Sequence, residues 1–461
     1  MGTRPRAEAE RATPDEPVAP AGPILAVVMT NALDPMRRRT EKTVLTGVAL
    51  AVLTLGIWAG PLFPARKPKD PLERLARLYE ESRFFELRDA LAPMGPGGPP
   101  DLEFFRAAVD QVFDRLGPAV ARLEAFIRSN GTAPPRMLTK EAWVLLADAY
   151  RRLNRYRQAA EAYRQAFARF GGVLDEDERA GLESQFALWA ALADVPPQSV
   201  EVAGDTQVRM KARRFPVLIG DRSVLFGYDT GSNVSVLYKS VADELGLALH
   251  GPPVEVQTGT GLAVSGRMAV VPELGWGAVR VANVLVLVLP DELFPSEAGR
   301  SAGERKGLLG MPVLAGLREI SETREGDLVV PARPRPRSLG NMCYSGFMPV
   351  VEAVHRGARL RLCLDTGATA TSLFLPYYRR FRGELNSRAR LRESTVGSVG
   401  DRRAVDVRVL DEFAFRAGGR DFALRRVLVQ TEATHSDSLR FHGAIGTDLL
   451  ALCSRMTLDF V

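Results

Sequence analysis

The stretch Leu362–Phe374 reads LCLDTGATATSLF. It runs as an apolar strand up to Asp365, breaks at Thr366-Gly367-Ala368, and resumes with small and β-branched residues. Taken alone, Asp-Thr-Gly is a tight turn with a carboxylate at its corner. A second copy changes that reading. Val224–Leu237, VLFGYDTGSNVSVL, sets Asp229 in the same surroundings. A further motif follows each aspartate: KGLLGMPVL (Lys306–Leu314) after the first and HGAIGTDLL (His442–Leu450) after the second. Asp229 to Gly310 is 81 residues, and Asp365 to Gly446 is also 81. Between them lie two Gly-rich hairpin tips, QTGTG (Gln257–Gly261) and VGSVG (Val396–Gly400). Signals repeated at equal spacing mark an internal duplication.

With these residues in place, the chain resembles the aspartic proteases, and each copy is most similar to the retropepsin-like unit. The resemblance rests on FGYDTGS and LCLDTGA, on GLLG and GAIG, and on the Gly-rich tips. It covers 201–461 and nothing before. It implies two all-β lobes, 201–329 and 339–461, joined by the Arg-Pro-rich linker VPARPRPRS at 330–338. It further implies that Asp229 and Asp365 meet in one site as a single-chain, pepsin-type pseudodimer. Thr230 and Thr366 are then expected to lock the two loops by a cross-lobe hydroxyl interaction. The tips supply flap candidates Thr258, Gly259, Thr260 and Gly261 in one lobe and Gly397, Ser398 and Gly400 in the other. No flap tyrosine is evident there. Met311-Pro312 stands where an Asp often follows the downstream glycine, whereas Thr447-Asp448 keeps it.

The chemistry explains the residue types. Two carboxylates held a hydrogen bond apart cannot both ionise cheaply, so they share one proton. The charged member activates a water and the protonated member hydrogen-bonds the scissile carbonyl. The titration belongs to the pair. Gly231 and Gly367 let backbone approach the carboxylates where a side chain would intrude. Ser232 is expected to donate towards the outer oxygen of its Asp, which Ala368 cannot do, making the lobes electrostatically unequal. The expected activity is an aspartic endopeptidase acting on polypeptide; the alternative is a non-catalytic peptide-binding or scaffold protein on the same lobes. Pairing of lobes between molecules is a third arrangement, disfavoured because a short tether raises the effective concentration of the partner lobe.

Composition narrows the remaining options. The chain has 461 residues, 46% hydrophobic and 25% charged, with a formal net charge of +6, enough for several domains without a basic, aromatic-studded surface for nucleic acid. Three cysteines without CxxC spacing exclude a disulfide framework, and four scattered histidines offer no metal pair, so neither metal nor cofactor is expected. Cys363, two residues before Asp365, reads as a core thiol.

Upstream of the lobes, residues 1–42 are expected to be a disordered, basic segment. The segment 43–65 is 23 residues without a charge, long enough for a transmembrane helix or signal anchor. MRRRTEK (Met36–Lys42) before it predicts the N-terminus in the cytoplasm and the bulk of the chain outside, periplasmic or extracellular. If translation begins at Met36, the same segment could serve as a cleaved signal and the protein would be secreted; no clear cleavage site follows it, which favours the anchor. Residues 70–197 are helical in pattern, divided by MGPGGPP (Met94–Pro100). Within them Trp143, Leu146, Ala147, Tyr150, Ala159, Tyr163 and Ala166 resemble one tetratricopeptide unit, which implies a protein-contact or spacing module built from stacked neighbours; a purely structural pair of helical hairpins is the alternative.

Overall fold

Hydrophobic periodicity changes from helical to alternating at about residue 199, and the architecture changes with it. The computed structural model describes residues 26–30, 70–130, 137–294, 306–335 and 340–460. The apolar segment 43–65 lies outside the described residues. Among those described, no helix is long and apolar enough to cross a membrane.

Helices come first: α1 (Pro71–Glu80), α2 (Phe84–Leu91), α3 (Pro100–Val112), α4 (Leu116–Asn130), α5 (Met137–Arg152), α6 (Tyr156–Phe170) and α7 (Glu176–Ala191). The hairpins α1–α2, α3–α4 and α5–α6 turn in one way. Ser82, Asp114 and Asn154 adopt left-handed φ values of 52°, 62° and 57°. In each turn the next residue is an arginine whose N–H reaches back to the helix: Arg83 to the Leu78 carbonyl, Arg115 to Asp110 and Arg155 to Tyr150. This six-to-one bond caps a helix that would otherwise leave its last carbonyls open. Short polar side chains are the non-glycine residues that tolerate this conformation best. The α5–α6 hairpin contains the residues read as a repeat unit, with Leu146, Ala147, Ala159, Tyr163 and Ala166 all buried.

Beyond Ala191 the chain is β-rich. Apolar and alternating runs form the strands: FPVLI (Phe215–Ile219), RSVLFGY (Arg222–Tyr228), VRVANVLVLVL (Val279–Leu289), ARLRLCL (Ala358–Leu364) and RDFALRRVLVQ (Arg420–Gln430). Each lobe is built on an eight-stranded sheet. A third, five-stranded sheet joins them, ordered Ala26–Thr30, Arg455–Asp459, Glu319–Thr323, Asp327–Val330, Thr206–Arg209. At its centre Ser321 pairs with Thr457, and their hydroxyls lie 2.8 Å apart. Their separation of 136 residues equals that between the two aspartates, so the pair marks the pseudo-twofold axis.

Three expectations need correction. Ala26–Thr30 lies in the segment expected to be disordered, yet forms a strand paired antiparallel with Arg455–Asp459. AVVMT is β-prone, and the sheet edge supplies the backbone partners that an isolated segment lacks. Val330, placed in the linker, ends a strand that pairs with Thr206–Arg209. The second lobe also holds a 14-residue helix, Leu375–Arg388, that alternation alone did not reveal.

Two apolar clusters organise the interior. One fills the lobes and runs through the joining sheet. The other begins in the helical array and continues onto the opposite faces of both lobes, taking in Val236, Leu308, Cys363 and Ala444 on the strands that flank the two Asp-Thr-Gly loops. Arg151 and Arg152 of α5 lie over the Phe347 ring, at 4.7 and 5.7 Å from its centroid. Asp89 of α2 pairs with Arg359 at 2.7 Å. The helices are therefore packed onto the lobes as one body.

Burial holds three histidines, His355, His435 and His442, below their ordinary pKa, and His442 is a main source of acid sensitivity. The Nδ1 of His442 accepts the Arg361 N–H at 3.1 Å, so the ring is held neutral. Burial, with Arg361 and Arg380 nearby, pushes its pKa down to about 3. The unfolded chain then binds the extra proton first, so His442 contributes stability above an ordinary histidine pKa that is lost as pH falls towards 3. The loss at full protonation is on the order of 3–5 kcal/mol. Urea midpoints measured from pH 7 to pH 4 are expected to fall steeply in the native chain and less steeply in His442→Gln; equal slopes would remove His442 from the account.

Candidate active site

Both Asp-Thr-Gly loops are built by the same local rules. In the first lobe Gly307–Leu309 runs parallel to Phe226–Tyr228, and the Asp229 N–H donates to the Leu309 carbonyl at 2.9 Å. In the second, Gly443–Ile445 runs parallel to Leu362–Leu364, and the Asp365 N–H donates to the Ile445 carbonyl at 3.0 Å. The downstream glycines close each loop. Gly310 N–H donates to the Ser235 hydroxyl at 3.0 Å and Gly446 N–H to the Thr371 hydroxyl at 3.2 Å. A Cβ on Gly310 would lie 2.4 Å from the Val234 carbonyl oxygen, and one on Gly446 would lie 2.6 Å from Ala370 backbone. That is why the equidistant motif requires glycine. Ser235 and Thr371, each six residues after its aspartate, were not singled out in the sequence, although a hydroxyl at one offset in both copies was a usable signal.

The loops meet across the pseudo-twofold axis. The Thr230 hydroxyl donates to the Leu364 carbonyl at 2.7 Å and accepts the Thr366 N–H at 3.0 Å. The Thr366 hydroxyl accepts the Thr230 N–H at 3.0 Å. Asp229 and Asp365 are brought together within the one chain, both carboxyls lying against Gly231. A Cβ on Gly231 would lie 2.9 Å from the Asp365 carboxyl and 3.1 Å from Asp229 Oδ1. Only glycine leaves room there.

Backbone donors surround the pair. Gly231 N–H donates to Asp229 Oδ1 at 2.7 Å, and Gly367 N–H reaches the same oxygen from the other lobe at 3.2 Å. Ala368 N–H donates to Asp365 Oδ1 at 3.0 Å. Asp229 is fully buried and Asp365 is 6% exposed. Burial pushes the Asp365 carboxyl above its ordinary range, against the pull of the Ala368 N–H and of Asp229. A buried pair sharing a proton, with N–H groups aimed at its inner oxygens, can polarise a water between them.

The Ser232 hydroxyl does not do what the sequence suggested. It donates to the Val234 carbonyl at 2.6 Å, bracing its own loop instead of the outer oxygen of Asp229. Downstream, Asp448 accepts both the N–H and the hydroxyl of Thr371, at 2.8 and 2.7 Å. Pro312 stands two residues after Gly310, as Asp448 does after Gly446, and its carbonyl accepts from Gln198 at 3.0 Å.

The flap candidates come together as tips of two hairpins, Leu249–Gln257 with Ala263–Trp276 and Arg390–Ser398 with Asp401–Ala417. Gly259 N–H donates to the Ser398 hydroxyl at 2.9 Å, tying tip to tip. Thr258 and Thr260 are buried, their hydroxyls 3.0 Å apart. Gly261 and Gly400 turn the tips with φ values of 87° and 73°, and a Cβ on Gly261 would lie 2.4 Å from the Thr434 carbonyl oxygen. Gly397 pairs with Arg402 in the second hairpin. Ser398→Ala removes this tip-to-tip bond, worth about 1 kcal/mol, so the variant is expected to exchange the Gly259 amide about fivefold faster. Hydrogen exchange on the native chain and the variant checks this. Among the described residues, no group of histidine, cysteine or acidic side chains could hold a metal ion.

Residues 215–313 match the aspartyl protease family. The match begins at Phe215 and includes Asp229 but not Asp365. Among solved structures, a retropepsin-like aspartic protease from Rickettsia conorii aligns at 17% identity over 29% of this chain and 91% of its own. Its TM-score of 0.18 carries no argument. No curated protein matches the chain.

Proposed function

We propose that the chain is an aspartic endopeptidase, a retropepsin-like pseudodimer in which Asp229 and Asp365 activate one water for attack on a peptide bond. One observation carries this reading: the two carboxylates converge at Gly231 and are served by backbone donors from both lobes. The match of the first lobe to the aspartyl protease family supports it. A polypeptide lying between the dyad and the paired flap tips would be gripped in extended form, which is how such a site reaches a backbone carbonyl. The proposal includes an anchor at 43–65 with the lobes outside the cytoplasm, and tetratricopeptide-like helices as a protein-contact surface; both rest on sequence pattern.

The test is direct. The full chain is incubated with unstructured peptides from pH 3 to pH 8, with and without a transition-state inhibitor of aspartic proteases. Cleavage that is blocked by the inhibitor and absent from both Asp229→Asn and Asp365→Asn supports the reading. Peptide binding without cleavage in the native chain would instead identify a recognition module.

A further inference from the structure

One buried charged cluster lies beneath a single half of the dyad. Tyr228 immediately precedes Asp229, and its hydroxyl donates to a carboxylate oxygen of Glu322. Glu322 belongs to the sheet that joins the lobes and is 3% exposed. Arg213 grips the same carboxylate with both terminal nitrogens, one of these bonds at 3.1 Å. Its guanidinium also lies over the Tyr228 ring, 5.4 Å from the centroid. The turn that presents Arg213 is strained: Ala212 and Arg213 both hold left-handed φ values, 49° and 62°. Left-handed non-glycine residues in succession persist where surrounding contacts hold them.

The second lobe has no counterpart. The offset of 136 residues that relates Thr230 to Thr366 places Leu364 opposite Tyr228, Leu458 opposite Glu322 and Pro349 opposite Arg213. Leu364 and Leu458 are buried and apolar. The duplication is therefore broken in the charge that lies beneath the dyad.

We infer that Tyr228, Glu322 and Arg213 are positioning residues that make the two halves of the dyad electrostatically unequal and set the pH at which the shared proton leaves. The inference rests on the reading of Asp229 and Asp365 as a proton-sharing pair. The field of Arg213 reaches Asp365 and favours its ionised form. Glu322 opposes that field. The Cys363 thiol feels the charge of Asp437 and Asp365, and the Cys453 thiol that of Arg324 and Glu322. Burial pushes Cys363 well above its ordinary value and Cys453 up to about 11, so both thiols are neutral below pH 8. Tyr228 is pushed up by burial and by Glu322 and is neutral as well. Over the range in which the dyad titrates, the balance is set by Arg213 against Glu322, with Arg324 beside them.

Opposite signs follow for the two substitutions. Glu322→Gln leaves Arg213 uncompensated and lowers the upper apparent pKa of the dyad by about 0.5–1 unit. Arg213→Gln leaves the anion and raises it by a similar amount, about 0.5–1 unit. Arg213→Lys keeps the charge and brings the value back towards native. The dyad is read in two ways on the full chain: as the upper limb of kcat/KM against pH, and as the titration of its carboxyl 13C signals, assigned by their loss in Asp229→Asn and Asp365→Asn. Shifts of opposite sign, with recovery in the lysine variant, support the inference. Shifts of one sign, or none, overturn it, because a merely structural cluster would perturb both variants alike. The carboxyl titration does not need turnover, so it decides the point even if cleavage proves independent of the dyad, a result that would sink the endopeptidase reading by itself.

Discussion

Asp365→Asn is expected to reduce peptide-bond hydrolysis by at least about a thousandfold, and Asp229→Asn by as much. Each removes the same thing. One carboxylate must accept a proton from water while its neighbour donates to the carbonyl, and an amide in either place ends the exchange. The double variant is therefore expected to be no worse than either single one, since residues that act as a unit are not additive. Folding is not expected to suffer: asparagine is isosteric, and removing a carboxylate from a fully buried or 6%-exposed position relieves desolvation. A melting temperature equal to or above the native one, with activity lost, is the expected pair of results. Mixing the two single variants should restore nothing, because Thr230 and Thr366 lock both loops within one chain. Activity recovered on mixing would mean that lobes pair between molecules.

The second large effect is structural. Thr230→Val keeps the shape of the side chain but strands two buried backbone groups, the Leu364 carbonyl and the Thr366 N–H. An unpaired buried group costs about 1–3 kcal/mol, so the variant is expected to lose about 2–5 kcal/mol. Thr366→Val strands one group, the Thr230 N–H, and is expected to lose about half as much. Chemical denaturation of both variants gives the comparison. Equal losses would show that the lock is symmetric and that this difference between the hydroxyls has no energetic weight.

The duplicated core of the site was legible in the sequence because its constraints are local. Each Asp-Thr-Gly must follow a strand, and each downstream glycine must pass another backbone too closely for a Cβ, so spacing and residue type survived together in both copies. The fingertip contact between Gly259 and Ser398 was partly legible, since both tips were picked out but not their meeting. What escaped depended on distant partners. Nothing near Tyr228 announces Glu322, which lies 94 residues away in another sheet. The direction of the Ser232 hydroxyl depends on a carbonyl two residues on, and either reading fits the letters. The three arginines that follow Ser82, Asp114 and Asn154 were visible in principle, but the intervals between them differ and hid the common turn.

Strand Ala26–Thr30 lies against the last strand of the chain, and α1 starts at Pro71 on the same body. Arg455–Asp459 has Glu319–Thr323 on one side and Ala26–Thr30 on the other, so the N-terminal strand covers an edge that would otherwise present open backbone N–H and carbonyl groups. Residues 26–30 thus act as a selvedge on the joining sheet, keeping the seam between the lobes from being extended by a strand of another molecule.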